Sequence, residues 1–388
     1  MISGTHRNSL QEQVIFGRPA LEALNELAAL FGARRLLITS TASLATPDGL
    51  ATRLANKLGP LCVGTFSDIS AHSPLESVIG GAEEARRTQA DLLVAVGGGS
   101  VIDATKVMQL ALWAGINLPE ALGAYRAGTG PDRVDVAKLA PGIRMVAVPT
   151  TLSAAEFTPF AGVTDVARRA KEGYAHPLLV PRAVVLDPRM TLSTPPKLWL
   201  STGMKAVDHA VEQLCNPTRS PYADALAEAG LKGLARWLPA SKAAPADLDA
   251  RLGCQIGMWL AMAGASSGRG LGASHAIGHT LGGSFGVPHG LTSCVTLPAV
   301  LRWNEGVATE RQKLVAELLG RPHLSASEAV KSFAGGLDLP TDLAAVGIRP
   351  DQFRAIAEHT MHDRGVRSNP RPIRRPEDIV EILELARS

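Results

Sequence analysis

The run Gly203–Glu212, GMKAVDHAVE, sets Lys205, Asp208, His209 and Glu212 at i, i+3, i+4 and i+7, so a helix would carry one cation, two carboxylates and one imidazole on a single face. His275 and His279, in SHAIGHT, stand one helical turn apart, and His289 follows in PHG at an expected helix start. Residues of these types can hold a divalent metal, move protons or polarise an oxygen. Each histidine taken alone is equally a satisfied core residue, and Lys205 with Asp208 is equally an ion pair across one turn. A second chemistry is written in LLVAVGGGSVIDATK, which places Gly97, Gly98, Gly99 and Ser100 between an apolar strand and a helix. Glycines let a phosphate approach the backbone closely, and the N–H groups and positive end of the helix attract its charge. The same glycines could form only a tight turn. Thr150 and Thr151, closing the apolar run MVAVPTT, add hydroxyls at the carboxyl edge of the same sheet, where ligands of open α/β sheets bind.

The elements that must position these groups change character near residue 190. Before it, the apolar runs RRLLIT, DLLVAVGGG, MVAVPTT and RAVVLD alternate with helical stretches such as PLESVIGGAEEARRTQA, the pattern of a parallel sheet covered by helices. After it, amphipathic segments such as DALAEAGLKGLARWLP, ERQKLVAELLG and PEDIVEILELARS dominate. The reading is an α/β fold, with a Rossmann-like parallel-sheet domain over 1–190, an all-helical domain over 191–388, and an active site in the cleft between them.

Composition narrows the function classes. The 388 residues are 46% apolar with a net charge of +3, and no basic run interleaved with aromatics points to nucleic acid. The start, MISGTHRNSLQEQ, lacks an apolar signal core, and no run approaches the ~20 apolar residues of a membrane span. Cys62, Cys215, Cys254 and Cys294 form no CxxC pair, which suits reduced thiols. A cytoplasmic enzyme with a small-molecule substrate is expected, with neither membrane nor nucleic acid as partner.

GGGSVIDATK and VPTTLSAAEFTPFAGVTD, followed by SHAIGHTLGGSFGVPHG and NPRPIRRPEDIVEIL, resemble in order the iron-containing alcohol dehydrogenase superfamily, from about residue 15 to the C-terminus. FSDISAHSP, TPFAGVTD and the final NPRP are most similar to its maleylacetate reductase branch, whereas Asp103 after the glycine loop resembles the broader alcohol dehydrogenases. The resemblance implies NADH or NADPH as cofactor and hydride transfer to or from a small oxygenated substrate. Gly97, Gly98, Gly99, Ser100, Asp103, Thr150 and Thr151 would bind the cofactor. It also implies Ser40 at the adenosine ribose, where NAD-preferring relatives carry an acidic residue; a hydroxyl there permits NADPH without excluding NADH.

The same resemblance maps the family's metal-binding histidines onto His209, His275 and His289 and its aspartate ligand onto Lys205. Beside a divalent cation at ~4 Å, exchanging carboxylate for ammonium moves the interaction from roughly −8 to +8 kcal/mol at an effective dielectric of ~20. No metal is therefore expected. The Lys205 ammonium is expected to polarise the substrate oxygen beside His209 and His275, with His279, near the expected nicotinamide, passing a proton. The maleylacetate reductase branch also works without metal, on an unsaturated keto-dicarboxylate, so a keto acid or dicarboxylate substrate fits. The alternatives are a metal-dependent iron or zinc alcohol dehydrogenase, a catalytically silent cofactor-binding protein, and a lyase or cyclase of dehydroquinate-synthase-like kin. The resemblance further suggests a homodimer or larger homo-oligomer.

Overall fold

The apolar runs of the first half become strands because they are buried on both faces. The computed structural model describes residues 6, 8–71, 73–128, 133–166, 168, 170–218, 220–265 and 270–387. Its backbone falls into two units, Ser9–Ser193 and one made chiefly of Thr194–Ser388.

In the first unit the chain runs β1 (Gln13–Phe16), α1 (Ala20–Phe31), β2 (Leu36–Thr39), α2 (Leu50–Leu58), β3 (Cys62–Phe66), α3 (Leu75–Arg87), β4 (Leu92–Gly97), α4 (Gly99–Trp113) and β5 (Arg144–Pro149). It continues through a hairpin, β6 (Phe160–Asp165) and β7 (Ala170–Ala175), to β8 (Ala183–Leu186). Among the described residues, six parallel strands form one sheet in the order β1-β8-β5-β4-β2-β3. Leu36, Ile38, Leu92, Val94, Val96, Val146 and Val148 turn to one face and pack with Leu24 and Leu27 of α1 and Leu54 and Leu58 of α2. Their alternates, Leu37, Leu93, Ala95 and Ala147, are equally buried, as a parallel sheet covered on both faces requires. The connection from β2 runs outward to β3, and that from β4 runs the other way to β5. The order reverses beside β4, and the loop after β4 therefore lies at the switch point where such sheets bind ligands. The β6–β7 pair is antiparallel, an element the apolar runs did not announce.

The second unit contains α5 (Pro196–Cys215), α6 (Pro221–Ala243), α7 (Leu248–Ala265), α8 (Ala273–Phe285), α9 (His289–Trp303), α10 (Thr309–Leu318), α11 (Ala326–Gly336), α12 (Phe353–Thr360) and α13 (Pro376–Leu385), with no strand among the described residues. Every residue of α5 from Trp199 to Cys215 is buried, so this helix is the unit's axis and its polar side chains must be satisfied from neighbouring helices. α6 and α7 approach closely because Gly230 has no side chain: a Cβ there would stand 2.6 Å from Ala261 N and 2.9 Å from Gly257 O. Among the described residues no helix is long and apolar enough to cross a membrane.

Candidate active site

In the sheet unit, β4 ends at Gly97 and α4 begins at Gly99, with Gly98 at the N-cap and no side chain capping the helix. The Val101 and Ile102 N–H groups bond Gly98 O, and no side chain takes the N–H groups that precede them in this 15-residue helix. A Cβ on Gly98 would meet Thr151 Cγ2 at 2.9 Å, and one on Gly99 would meet Ser153 Oγ at 3.0 Å. The glycines make room for the two hydroxyl side chains, and Thr151 Oγ1 and Ser153 Oγ are buried with no hydrogen-bond partner among the described residues. Orphaned hydroxyls beside helix N–H groups suit a phosphate oxygen, so these residues fit a dinucleotide diphosphate. Thr150 N–H donates to Gly97 O at 3.0 Å and locks the two strand ends together. Ser100 opens α4, where its carbonyl accepts the Ser73 hydroxyl at 2.7 Å. Asp103 Oδ2 accepts the Gly162 N–H at 3.0 Å and ties α4 to the hairpin. Ser40, at the end of β2, is buried and donates its hydroxyl to Val96 O at 2.8 Å, which leaves that strand end without charge.

In the helical unit, the periodicity of α5 brings Lys205, Asp208, His209 and Glu212 to one buried face. Glu212 accepts N–H bonds from Gly272 at 2.6 Å and Ser274 at 2.7 Å. Its carboxylate thus caps α8, whose own N-cap, Gly272, has no side chain to do so. The same carboxylate takes His275 Nδ1 at 2.7 Å. Asp208 accepts the hydroxyls of Ser274, at 3.0 Å, and of Ser293, and its Oδ2 lies 3.9 Å from Lys205 Nζ. The ion pair between Lys205 and Asp208 therefore forms, but deep in the unit. Burial pushes both carboxyls above their ordinary range, Asp208 with help from the Glu212 charge, while Lys205 and the donors oppose the shift.

Four imidazoles line the adjoining space. His209 stacks on His275 at 4.8 Å, His275 meets His279 edge-on at 6.3 Å, and His279 lies parallel to His289 at 5.9 Å. Burial foremost, then neighbouring positive charge, holds His209 and His275 well below the usual histidine range, so both are neutral at pH 7. With its Nδ1 engaged by Glu212, His275 presents Nε2, which is buried without a partner among the described residues, as is His209 Nδ1. His289 opens α9, as PHG implied. His279 is half exposed, and its Nδ1 bonds Asp363 Oδ2 at 2.8 Å. Asp363 was not anticipated: it lies 84 residues from His279, and no local spacing connects them. Burial raises its carboxyl, but the His279 bond and charge and the Gly365 N–H outweigh that and hold it below the carboxylate range.

Ligand atoms of Asp208, Glu212 and His275 lie within 4.8 Å of one another, a buried group that could hold a metal ion. It differs from the trio His209, His275 and His289 drawn from sequence, sharing only His275. The residue types fit a divalent cation. The setting is mixed: N–H and O–H donors already occupy both Glu212 oxygens and Asp208 Oδ2, and Lys205 Nζ stands 3.9 Å from Asp208, but Asp208 Oδ1 is buried with no hydrogen-bond partner among the described residues.

Comparison with known proteins covers both units. Residues 11–188 match the family described as iron-containing alcohol dehydrogenase, and residues 199–387 match the Fe-containing alcohol dehydrogenase family, C-terminal. Maleylacetate reductase 2 of Cupriavidus pinatubonensis is 35% identical over 377 residues, 96% of this chain and 94% of that protein. Dehydrogenase ALT3 of Alternaria alternata is 34% identical over 394 residues, 92% of this chain and 100% of that protein. The crystal structure of a maleylacetate reductase from Agrobacterium tumefaciens matches with a TM-score of 0.83 at 28% identity, over 100% of this chain and 99% of that one.

Proposed function

We propose a metal-independent reduction for this chain, which belongs to the iron-containing alcohol dehydrogenase family and is an NAD(P)-dependent oxidoreductase. The observation that carries the reading is the buried Lys205 side chain, 3.9 Å from Asp208 and close enough to His209 and His275 for its charge to help keep both imidazoles neutral. The substrate is a small keto acid or unsaturated keto-dicarboxylate, as the names of the maleylacetate reductase relatives suggest.

Gly97–Ser100 with Thr150 and Thr151 would hold the diphosphate of a dinucleotide, which when bound would supply the hydride. Lys205 stabilises the negative charge that then grows on the substrate oxygen, a task a Lewis acid performs elsewhere. Asp208, 3.9 Å away, is the counter-charge that opposes neutralisation of the ammonium, and the Lys205 charge in turn offsets part of the rise that burial imposes on the Asp208 carboxyl. With Glu212 ionised, its carboxylate accepts the His275 Nδ1 proton and leaves the Nε2 lone pair to accept a hydrogen bond. His279, oriented by Asp363, delivers the proton that completes the reduction.

A second reading is a metal-dependent dehydrogenase, favoured by the Asp208, Glu212 and His275 group. Oxidation of NADH and NADPH across keto acids, unsaturated keto acids and aldehydes, with metal content measured on the same protein, separates the readings. Turnover by protein with far less than one equivalent of metal, insensitive to chelators, is expected. Stoichiometric metal with chelator-sensitive turnover would establish the second reading, and cofactor binding without turnover on any substrate would leave a silent binding protein.

A further inference from the structure

The segment that supplies Asp363 carries two charged side chains which the mechanism leaves unused. Resting on the reading of a reductase for carboxylate-bearing substrates, we propose that Arg364 and Arg367 form the subsite for the substrate's distal carboxylate.

Asp363 caps a short 3₁₀ turn, Arg364–Ser368, by accepting the Gly365 N–H at 2.7 Å. At three residues per turn, side chains three apart eclipse, so Arg364 and Arg367 share one side while Gly365 and Ser368 share another. That second side is pressed onto the entrance of α8. A Cβ on Gly365 would stand 2.8 Å from Gly272 O and 3.1 Å from Leu271 O, and one on Gly270 would meet Ser368 Oγ at 2.8 Å. Val366, on the third side, is buried. The packing thus fixes which way the turn faces, and the side it leaves to solvent is the one bearing both guanidiniums.

Neither guanidinium has an ion pair or hydrogen bond among the described residues, whereas three nearby arginines are engaged. Arg354 holds Glu358 and Glu377, Arg371 holds the Trp303 carbonyl, and Arg375 holds Asp378. Asp363 does not neutralise its neighbour, because its carboxylate is taken by His279 and the Gly365 N–H. Two unspent guanidiniums therefore lie side by side, the first one residue, about 3.8 Å of backbone, from the aspartate that holds the proton donor. A guanidinium fork matches a carboxylate in two parallel hydrogen bonds. A substrate whose reacting carbon is at His279 can set a remote carboxylate against this pair, and an uncharged substrate gains nothing from it.

The test is the double variant Arg364→Gln with Arg367→Gln, assayed on a keto-dicarboxylate and on an uncharged aldehyde of similar length, with NADH and NADPH titrated separately. The expected result is a roughly ten- to hundredfold rise in KM for the dicarboxylate, the loss of one to two charge-assisted hydrogen bonds, with kcat within a few fold. The aldehyde should show a much smaller change, and the double lysine variant should recover part of the loss. An equal rise for both substrates, or a rise confined to the KM for NADPH, would overturn the proposal; the latter would assign the guanidiniums to a cofactor phosphate. Calorimetric binding of succinate to wild type and variant keeps the subsite testable apart from turnover. A wild-type protein without NAD(P)H oxidation refutes the reductase reading, whereas succinate binding that is absent in the wild type or equal in both proteins refutes the subsite.

Discussion

Replacing Lys205 by methionine removes the ammonium but keeps most of the apolar stem, so it separates charge from packing. At the observed 3.9 Å from Asp208 the lost attraction is about 4 kcal/mol at an effective dielectric of about 20. Part of that loss is recovered, because Asp208 and Glu212 already favour protonation through burial and can take up a proton when the cation goes. Stability should therefore fall by less than the 3–5 kcal/mol typical of a broken buried pair, and more at high pH than at low. Turnover has no such remedy. Loss of an oxyanion-stabilising donor costs roughly 10² to 10³ in kcat, and Lys205→Met should lose that much with little change in cofactor affinity.

Restoring a carboxylate tests the same charge argument from the other side. Lys205→Asp places a third carboxyl beside Asp208 and Glu212 and next to His209 and His275. Added Zn²⁺ or Fe²⁺ should then raise the melting temperature of the variant, by the equivalent of about 2.7 kcal/mol at a hundredfold excess over Kd, and not that of the wild type. Elemental analysis, melting curves with and without chelator, and steady-state rates are the assays. Wild-type turnover in a folded Lys205→Met protein, or stoichiometric metal with chelator-sensitive activity in the wild type, would refute the reasoning. If metal is found and Glu212→Gln abolishes it, the site is the Asp208, Glu212 and His275 group.

Three other expectations follow from the geometry. Gly98→Val would drive a branched side chain into Thr151, 2.9 Å from the position of its Cβ, and should weaken nucleotide binding in a fluorescence titration more than it lowers the melting temperature; unchanged affinity in folded protein would remove the cradle. His279→Ala should lower kcat by roughly 10² to 10⁴, and Asp363→Asn, which spares the ring but loosens its orientation, by a smaller factor; a change in stability alone would make the pair structural. Burial raises the Glu156 carboxyl from 4.5 to about 7, both its oxygens are buried without hydrogen-bond partners among the described residues, and the charges within its reach are Lys106 and Asp103. Between those values the folded chain keeps a proton that the unfolded chain releases, so stability falls as pH rises through that window, by up to about 3 kcal/mol. Glu156→Gln should flatten the slope in urea unfolding, and parallel slopes would show that Glu156 does not titrate there.

What was legible in the sequence is what is local. β2, β4, β5 and β8 stand out as apolar runs because they are buried on both faces, whereas the half-buried edge strand β3, CVGTF, and the polar hairpin strand β7, AKEGYA, carry too few apolar residues to announce themselves. The shared face of Lys205, Asp208, His209 and Glu212 follows from helical spacing alone. Its environment does not, because the donors that engage Asp208 and Glu212 come from Gly272, Ser274 and Ser293, sixty or more residues away. For the same reason the sequence could offer the Lys205–Asp208 ion pair and the polarising ammonium only as rivals. The structure sets Lys205 Nζ 3.9 Å from Asp208 Oδ2 in the interior, so the two readings no longer exclude each other. The proposed mechanism needs Lys205 to keep its proton against burial, and Asp208, whose own carboxyl burial raises and the Lys205 charge lowers, is the acidic group 3.9 Å away on which that depends.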